Sequence, residues 1–112
     1  GAPLASRQTI QNWVADAATS IRACRLMAYE TAWKLDQGQD VRTDVSMIKV
    51  YATDMATRIL DQAMQCFGAM GVSKELPLYL FAEQVRCMRI FDGPTEIHRW
   101  VVARSLLRTK SR

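Results

Sequence analysis

The feature that most restricts this chain is the spacing of its apolar residues in the first third. Ile10, Val14, Ala17, Ile21, Cys24, Ala28, Ala32 and Leu35 follow one another in steps of three or four. That period predicts one face of a single helix from about Ala5 to Leu35. At 1.5 Å per residue such a helix is roughly 45 Å long, too long for a lone small globule and ordinary in a bundle. Asp36-Gln37-Gly38-Gln39-Asp40 then predicts a turn around a helix-ending glycine. The short connection makes the next helix an antiparallel neighbour.

A second helix is expected from a cap at Thr43 or Asp44, with Val45, Ile48, Ala52, Met55, Ile59, Ala63, Cys66 and Met70 on its apolar face. Gly71 is its expected left-handed terminator. Pro77 fits the first turn of a third, shorter helix carrying Leu78, Phe81, Val85 and Met88. A fourth runs from about Thr95 to Leu107, with Arg108 to Arg112 expected to fray. Its apolar residues, Ile97, Trp100, Val101, Val102, Ala103, Leu106 and Leu107, occupy more than one face, which calls for partners on more than one side. No strand, repeat or low-complexity segment is legible. The reading is all-α: one domain over residues 1–112, built as an up-and-down four-helix bundle.

Composition excludes several classes. No run of 18 apolar residues is free of charges, so no spanning helix is expected. Cys24, Cys66 and Cys87 lie far apart without a C-x-x-C pair or clustered His, and read as buried free thiols in a reducing, intracellular setting, with no metal site. The net charge of +4 and pI near 9.3 raise nucleic acid as a partner. The basic residues (Arg86, Arg89 and Arg99 around a Gly-Pro break; Arg104, Arg108, Lys110 and Arg112 at the end) lack interleaved exposed aromatics, and nucleic-acid binding is not expected. A basic domain of that kind would show binding that falls steeply with salt. The chain starts Gly1-Ala2-Pro3-Leu4, from which no targeting signal is read.

Chemistry concentrates at Arg89-Ile90-Phe91-Asp92-Gly93-Pro94-Thr95-Glu96-Ile97-His98-Arg99. One reading is a helix start, with Gly93 or Asp92 at the N-cap, Pro94 in the first turn and Glu96 near the positive helix end. The other makes Asp92 a carboxylate at the mouth of a pocket, beside a helix N-terminus able to receive an anionic group.

Three blocks in register, Gly1-Ala2-Pro3-Leu4 with Gln8, then Ala63-Met64-Gln65-Cys66-Phe67-Gly68-Ala69-Met70-Gly71, then Arg89 to Arg99, resemble the C-terminal helical domain of the acyl-CoA dehydrogenases across nearly the whole chain. The D-G-P-x-E-I-H form looks most like a subgroup acting on longer or branched acyl-CoA substrates. The resemblance implies an N-terminal helical domain, a middle β domain and this bundle, with FAD between them and across a subunit interface. It also implies that one helix at the N-terminal edge of the bundle is absent, leaving an apolar groove, and that the chain alone is inactive.

By the resemblance, Asp92 stands where the common family motif has its catalytic Glu, the base that removes the α proton of the thioester while the β hydrogen leaves as hydride to FAD. A weak C–H acid needs such a base close and desolvated, with hydrogen-bond donors for the enolate-like charge. Asp is one methylene shorter, which bears on acyl chain length. Gln8 matches a family glutamine on FAD, and Gln65 the one opening a Gln-x-x-Gly-Gly turn that reaches the cofactor of a neighbouring subunit; Ala69 replaces its second glycine. Pro94 replaces a Thr, Glu96 keeps a cofactor-contact position, and Thr95 offers a hydroxyl one residue out of register. His98 reads as a surface or interface histidine, Arg99 as an ion-pair partner of Glu96 or Asp92, and Trp13, Trp33 and Trp100 as core or interface packing. The implied partners are acyl-CoA, further copies of the chain in a homodimer or homotetramer, and an electron-transfer flavoprotein; the implied compartment is bacterial cytoplasm, or mitochondria or peroxisomes. The alternative is a non-catalytic helical oligomerisation or interaction module derived from the same fold, to which the Pro94 and Ala69 departures lend weight.

Overall fold

The computed structural model describes residues 1–109. Four helices follow in order: α1 (Gln8–Asp36), α2 (Arg42–Phe67), α3 (Leu78–Met88) and α4 (Thr95–Thr109), with 3-10 turns at Leu4–Ser6 and Gly68–Val72. No strand occurs among the described residues, so the all-α expectation holds. The body is elongated, 62 × 27 × 26 Å.

Helix α2 is the hub, with α1, α3 and α4 each laid against it. Two cross-links fix α1 antiparallel to it: Lys34 Nζ to Asp44 Oδ1 at 2.7 Å, and Arg58 Nη2 donating to Ser20 Oγ at 2.9 Å. Both pairs have the same residue-number sum, which is the register of the hairpin. Gly38, at φ 71°, closes α1 as expected, with the Gln39 amide donating back to the Lys34 carbonyl at 3.1 Å.

The other ends differ from expectation for local reasons. Before α1, Ser6 donates through both its amide and its hydroxyl to the Pro3 carbonyl, and Arg7 is extended, so the α-helix waits until Gln8. Neither Thr43 nor Asp44 caps α2. Asp40 accepts the Arg42 amide at 3.1 Å and grips the Arg42 guanidinium, while Asp44 is spent on Lys34. Helix α2 ends at Phe67, and the glycine with positive φ there is Gly68 (φ 57°) rather than Gly71. Gly71 is needed for space: a Cβ on it would collide with the Met64 backbone. Arg108, expected to fray, is still within α4; Lys110 to Arg112 lie outside the described residues.

Packing departs further. Among the described residues no apolar side chain is fully buried; the buried ones are Thr31, Ser46, Thr53 and Thr95. Three of these, Thr31, Ser46 and Thr53, return their hydroxyls to a carbonyl four residues back in their own helix, on Met27, Arg42 and Lys49. A hydroxyl satisfied in this way leaves a small knob that a neighbouring helix can approach closely. On α1 the face turned to α2 carries Trp13, Ala17, Ser20, Cys24, Met27 and Thr31. The neighbouring stripe Val14, Ile21, Ala28 and Leu35, expected inside, is exposed, as is Ala32. On α2, Val45 and Met70 of the expected inner face are exposed too, Met70 lying beyond the helix end. Cys24 and Cys66 are half-buried and Cys87 is exposed, so the thiols are free but not buried. Trp33 and Trp100 are exposed and Trp13 half-buried. On α4, Ile97, Trp100, Leu106 and Leu107 face outward. No helix among the described residues is long and apolar enough to cross a membrane.

Candidate functional site

The α3–α4 break is built on three anchors. Thr95 is 1% exposed and donates both its amide and its hydroxyl to the Arg89 carbonyl, each at 3.1 Å, which folds residues 89–95 into a closed loop. Lys49 of α2 donates to the Phe91 carbonyl at 2.8 Å and stands 5.4 Å from the centre of its ring. His98, one turn into α4, lies with Nε2 3.1 Å from the Asp92 carbonyl and Nδ1 3.1 Å from Ser46 Oγ on α2.

Held between these anchors, Asp92 has φ 53°, the only positive value on a non-glycine among the described residues, and Gly93 follows at φ 90°. A side chain in that region carries a steric cost of roughly 1–2 kcal/mol that the surrounding contacts must offset. The Asp92 carboxylate is exposed and accepts no hydrogen bond or ion pair from any described residue. Pro94 occupies the N-cap position of α4, its carbonyl accepting the Ile97 amide at 2.9 Å, so neither Asp92 nor Gly93 caps the helix. The N-cap alternative for Asp92 therefore falls away.

Beneath the loop, Asp54 of α2 binds both flanking arginines, Arg89 at 3.3 Å and Arg99 through a shorter contact to the other oxygen. The expected ion pair of Arg99 exists, but its partner is Asp54 rather than Glu96 or Asp92. Arg89 Nε is buried with no partner.

The remaining candidate residues do not join Asp92. Gln8 opens α1 and Gln65 lies in the last turn of α2; the antiparallel register puts them at one end of the molecule, with Ala69 beside them. Between Lys49, where the loop is anchored, and Gln65 the axis of α2 advances roughly 24 Å. Gln8, Gln65, Ala69 and Glu96 are all exposed, and the three polar side chains have no partner among the described residues. Thr95, by contrast, already donates its hydroxyl to the Arg89 carbonyl. One chain thus brings Asp92, Thr95 and Glu96 together and holds Gln8, Gln65 and Ala69 apart from them.

An apolar groove of about 740 Å³ runs along α1, α2 and α4, lined by Met27, Met47, Val50, Met55, Val102 and Leu106, with Asp54, Arg58 and Arg99 at its polar edge. A second, about 730 Å³, lies between the α1–α2 turn and α4, beside His98, Trp100 and Arg104. Asp92 lines neither, so this chain alone does not place it at a pocket mouth. The residues sequence reasoning passed over are Lys49, Asp54 and Ser46. They lie on α2, more than thirty positions before the loop they hold, and nothing local to them signals that role.

The sequence profile of the acyl-CoA dehydrogenase C-terminal domain matches residues 1–107. The (R)-benzylsuccinyl-CoA dehydrogenase of Thauera aromatica is 44% identical over 108 residues, covering 96% of this chain and 27% of that protein. Among solved structures, butyryl-CoA dehydrogenase from Megasphaera elsdenii superposes with a TM-score of 0.91 at 32% identity, over 96% of this chain and 28% of its own. A structure described as the FAD complex of PigA gives 0.89 at 33% identity, over 95% and 28%. The chain therefore spans a little over a quarter of the length of each of these three proteins. With the profile covering nearly every residue and the helices superposing in order, the chain belongs to the acyl-CoA dehydrogenase family, where it corresponds to the C-terminal helical domain.

Proposed function

We propose that this chain is the C-terminal bundle of a longer flavin-dependent acyl-CoA dehydrogenase, and that Asp92 is the base that takes the α proton of the acyl thioester. The observation that carries the reading is the state of Asp92: an unpartnered carboxylate at a positive φ, on a loop whose flanking residues are tied down. A group meant only to cap a helix would be engaged with amides; this one is held out to meet something else. Cover from the acyl chain and the neighbouring domains would desolvate the carboxylate and strengthen it as a base.

FAD fits the residues present. Gln8 and Gln65 offer uncommitted amides, each both donor and acceptor, and Glu96 an uncommitted carboxylate. When bound, the flavin supplies a two-electron acceptor for the β hydrogen. The wide separation of Gln65 from Asp92 supports a site finished by a second copy of the chain, in a homodimer or homotetramer, with Gln65 and Ala69 serving the partner's cofactor. The bound acyl-CoA would donate its α proton to Asp92, and an electron-transfer flavoprotein would accept the two electrons afterwards. The exposed apolar stripe on α1 and the groove along α1, α2 and α4 are the surfaces that the rest of the enzyme would cover; an apolar face of that extent seldom stays in water. The acyl group is left open, since the Thauera relative is named for an aromatic substrate and the Megasphaera enzyme for a short one.

The test is an anaerobic titration of the purified full-length enzyme with a panel of saturated acyl-CoA thioesters. Flavin colour that bleaches with some of them supports the reading. A colourless protein that stays colourless with added FAD supports the non-catalytic module instead.

A further inference from the structure

His98 is the chain's only histidine, and the resemblance assigns it no role. The structure gives it two bonds that leave its ring no freedom. Its Nε2 faces the Asp92 carbonyl at 3.1 Å, and a carbonyl only accepts, so Nε2 carries the hydrogen. Nδ1 stands 3.1 Å from Ser46 Oγ, whose one hydroxyl hydrogen has two acceptors within reach, this nitrogen and the Arg42 carbonyl. Ser46 is itself 5% exposed and stands 3.0 Å from the Arg42 carbonyl, so the hydroxyl is fixed in α2 before it meets the ring. Gly93 lies against the same ring edge: a Cβ there would fall 2.9 Å from Nε2.

We propose that His98, oriented by Ser46, is a positioning residue for Asp92: its Nε2–H pins the peptide that joins Asp92 to Gly93 and so sets the direction of the Asp92 carboxylate. This rests on reading Asp92 as the base. Of the other two anchors, Lys49 holds the Phe91 carbonyl, and Thr95 closes the loop from beyond Gly93 back onto Arg89. Neither bonds the Asp92–Gly93 peptide itself. Only the hydrogen bond from His98 does, and it acts on the two consecutive residues whose φ is positive. Without it the Asp92–Gly93 peptide can turn, changing Asp92 ψ and Gly93 φ together, and the Asp92 Cα, held then from the Phe91 side alone, can shift with its carboxylate. A base misplaced by about 1 Å loses up to roughly 100-fold in rate without any loss of substrate binding.

The experiment is stopped-flow flavin reduction by a saturated acyl-CoA in the full-length holoenzyme, comparing His98→Leu, His98→Gln, Ser46→Ala and Asp92→Asn. Gln carries an amide N–H to about the place of Nε2; Leu removes the donor. The expected result is a 10- to 100-fold lower limiting reduction rate in His98→Leu, with acyl-CoA affinity and FAD content unchanged, and recovery to within about threefold in His98→Gln. Ser46→Ala, which keeps the donor but frees the ring, is expected in between. A wild-type rate in His98→Leu, or a His98→Gln rate as low as that of His98→Leu, overturns the proposal. If His98→Leu does not fold, Ser46→Ala decides: a wild-type limiting rate there overturns it. Asp92→Asn separates the two layers. If it bleaches normally, the base reading fails and the positioning role with it; if it is inert while His98→Leu is normal, only the positioning role fails.

Discussion

Asp54 of α2 holds Arg89 and Arg99 at once, one on each carboxylate oxygen, and so clamps the last residue before the α3–α4 loop to the first turns of α4. A single acid thereby closes the base of the loop that carries Asp92. The loop is rigid because α2 reaches it at three points, through Asp54, Lys49 and, by way of His98, Ser46.

Replacing Asp54 by Asn leaves two half-exposed guanidinium groups without their charge partner. Exposed pairs are each worth about 0–1 kcal/mol, so Asp54→Asn is expected to cost about 1–2 kcal/mol in total. Because the lost contacts flank Asp92, flavin bleaching should slow more than the stability change accounts for. Urea denaturation and the bleaching rate, measured on the same variant, check both halves.

Gly68 and Gly71, three positions apart, are required for different reasons. Gly68 has φ 57° with open space where a Cβ would go, so Gly68→Ala carries only the torsional penalty, roughly 1–3 kcal/mol. Gly71 has no positive φ, but its Cβ would strike the Met64 backbone, which has no side chain to swing aside. Gly71→Ala is expected to cost at least as much, about 1–3 kcal/mol or more, and to shift the end of α2. Thermal unfolding of both variants distinguishes them, with Gly71→Ser worse than Gly71→Ala and Gly68→Ser no worse than Gly68→Ala.

Two groups near the α1–α2 turn tie stability to pH. The Arg42 guanidinium and amide on Asp40 lower its carboxyl from 3.8 to about 2, so their contribution is complete above the unfolded value and is lost as pH falls from about 4 through 2. Lys34 is raised above 10.5 by its bonds to Asp44 and then Glu30, so its contribution is complete below 10.5 and is lost as pH rises beyond it. Asp40→Asn should flatten the acid limb of the stability profile and Lys34→Met the alkaline limb, each leaving the other unchanged. Denaturation midpoints across both pH ranges read this directly.

Much of the backbone was legible from spacing alone. The 3- and 4-step pattern places the first three helices, and Gly38 and Pro77 mark real boundaries, because those signals are local; the fourth follows from the Gly-Pro break before it. Which side of each helix would be covered was not legible. Val14, Ile21, Ala28 and Leu35 satisfy a helical period as well as the residues that pack on α2 do, and an apolar stripe does not state which neighbour it meets. The side chains buried within the helices include Thr31, Ser46 and Thr53, whose hydroxyls are quiet in a sequence because their partner is their own backbone. At the site, the break and Asp92 stood out, since Asp-Gly-Pro interrupts a helical chain. Its supports did not, because Lys49, Asp54 and Ser46 act across more than thirty residues of sequence.

The measurement that bears most directly on the central claim is the rate at which a saturated acyl-CoA bleaches the bound flavin of the full-length enzyme, in wild type and in Asp92→Asn. Equal FAD content in the two proteins is expected, with a bleaching rate at least roughly 100-fold lower in Asp92→Asn, the scale set by removing a positioned general base. Equal bleaching rates would contradict it, and would leave Asp92 as a feature of the loop with no part in the chemistry.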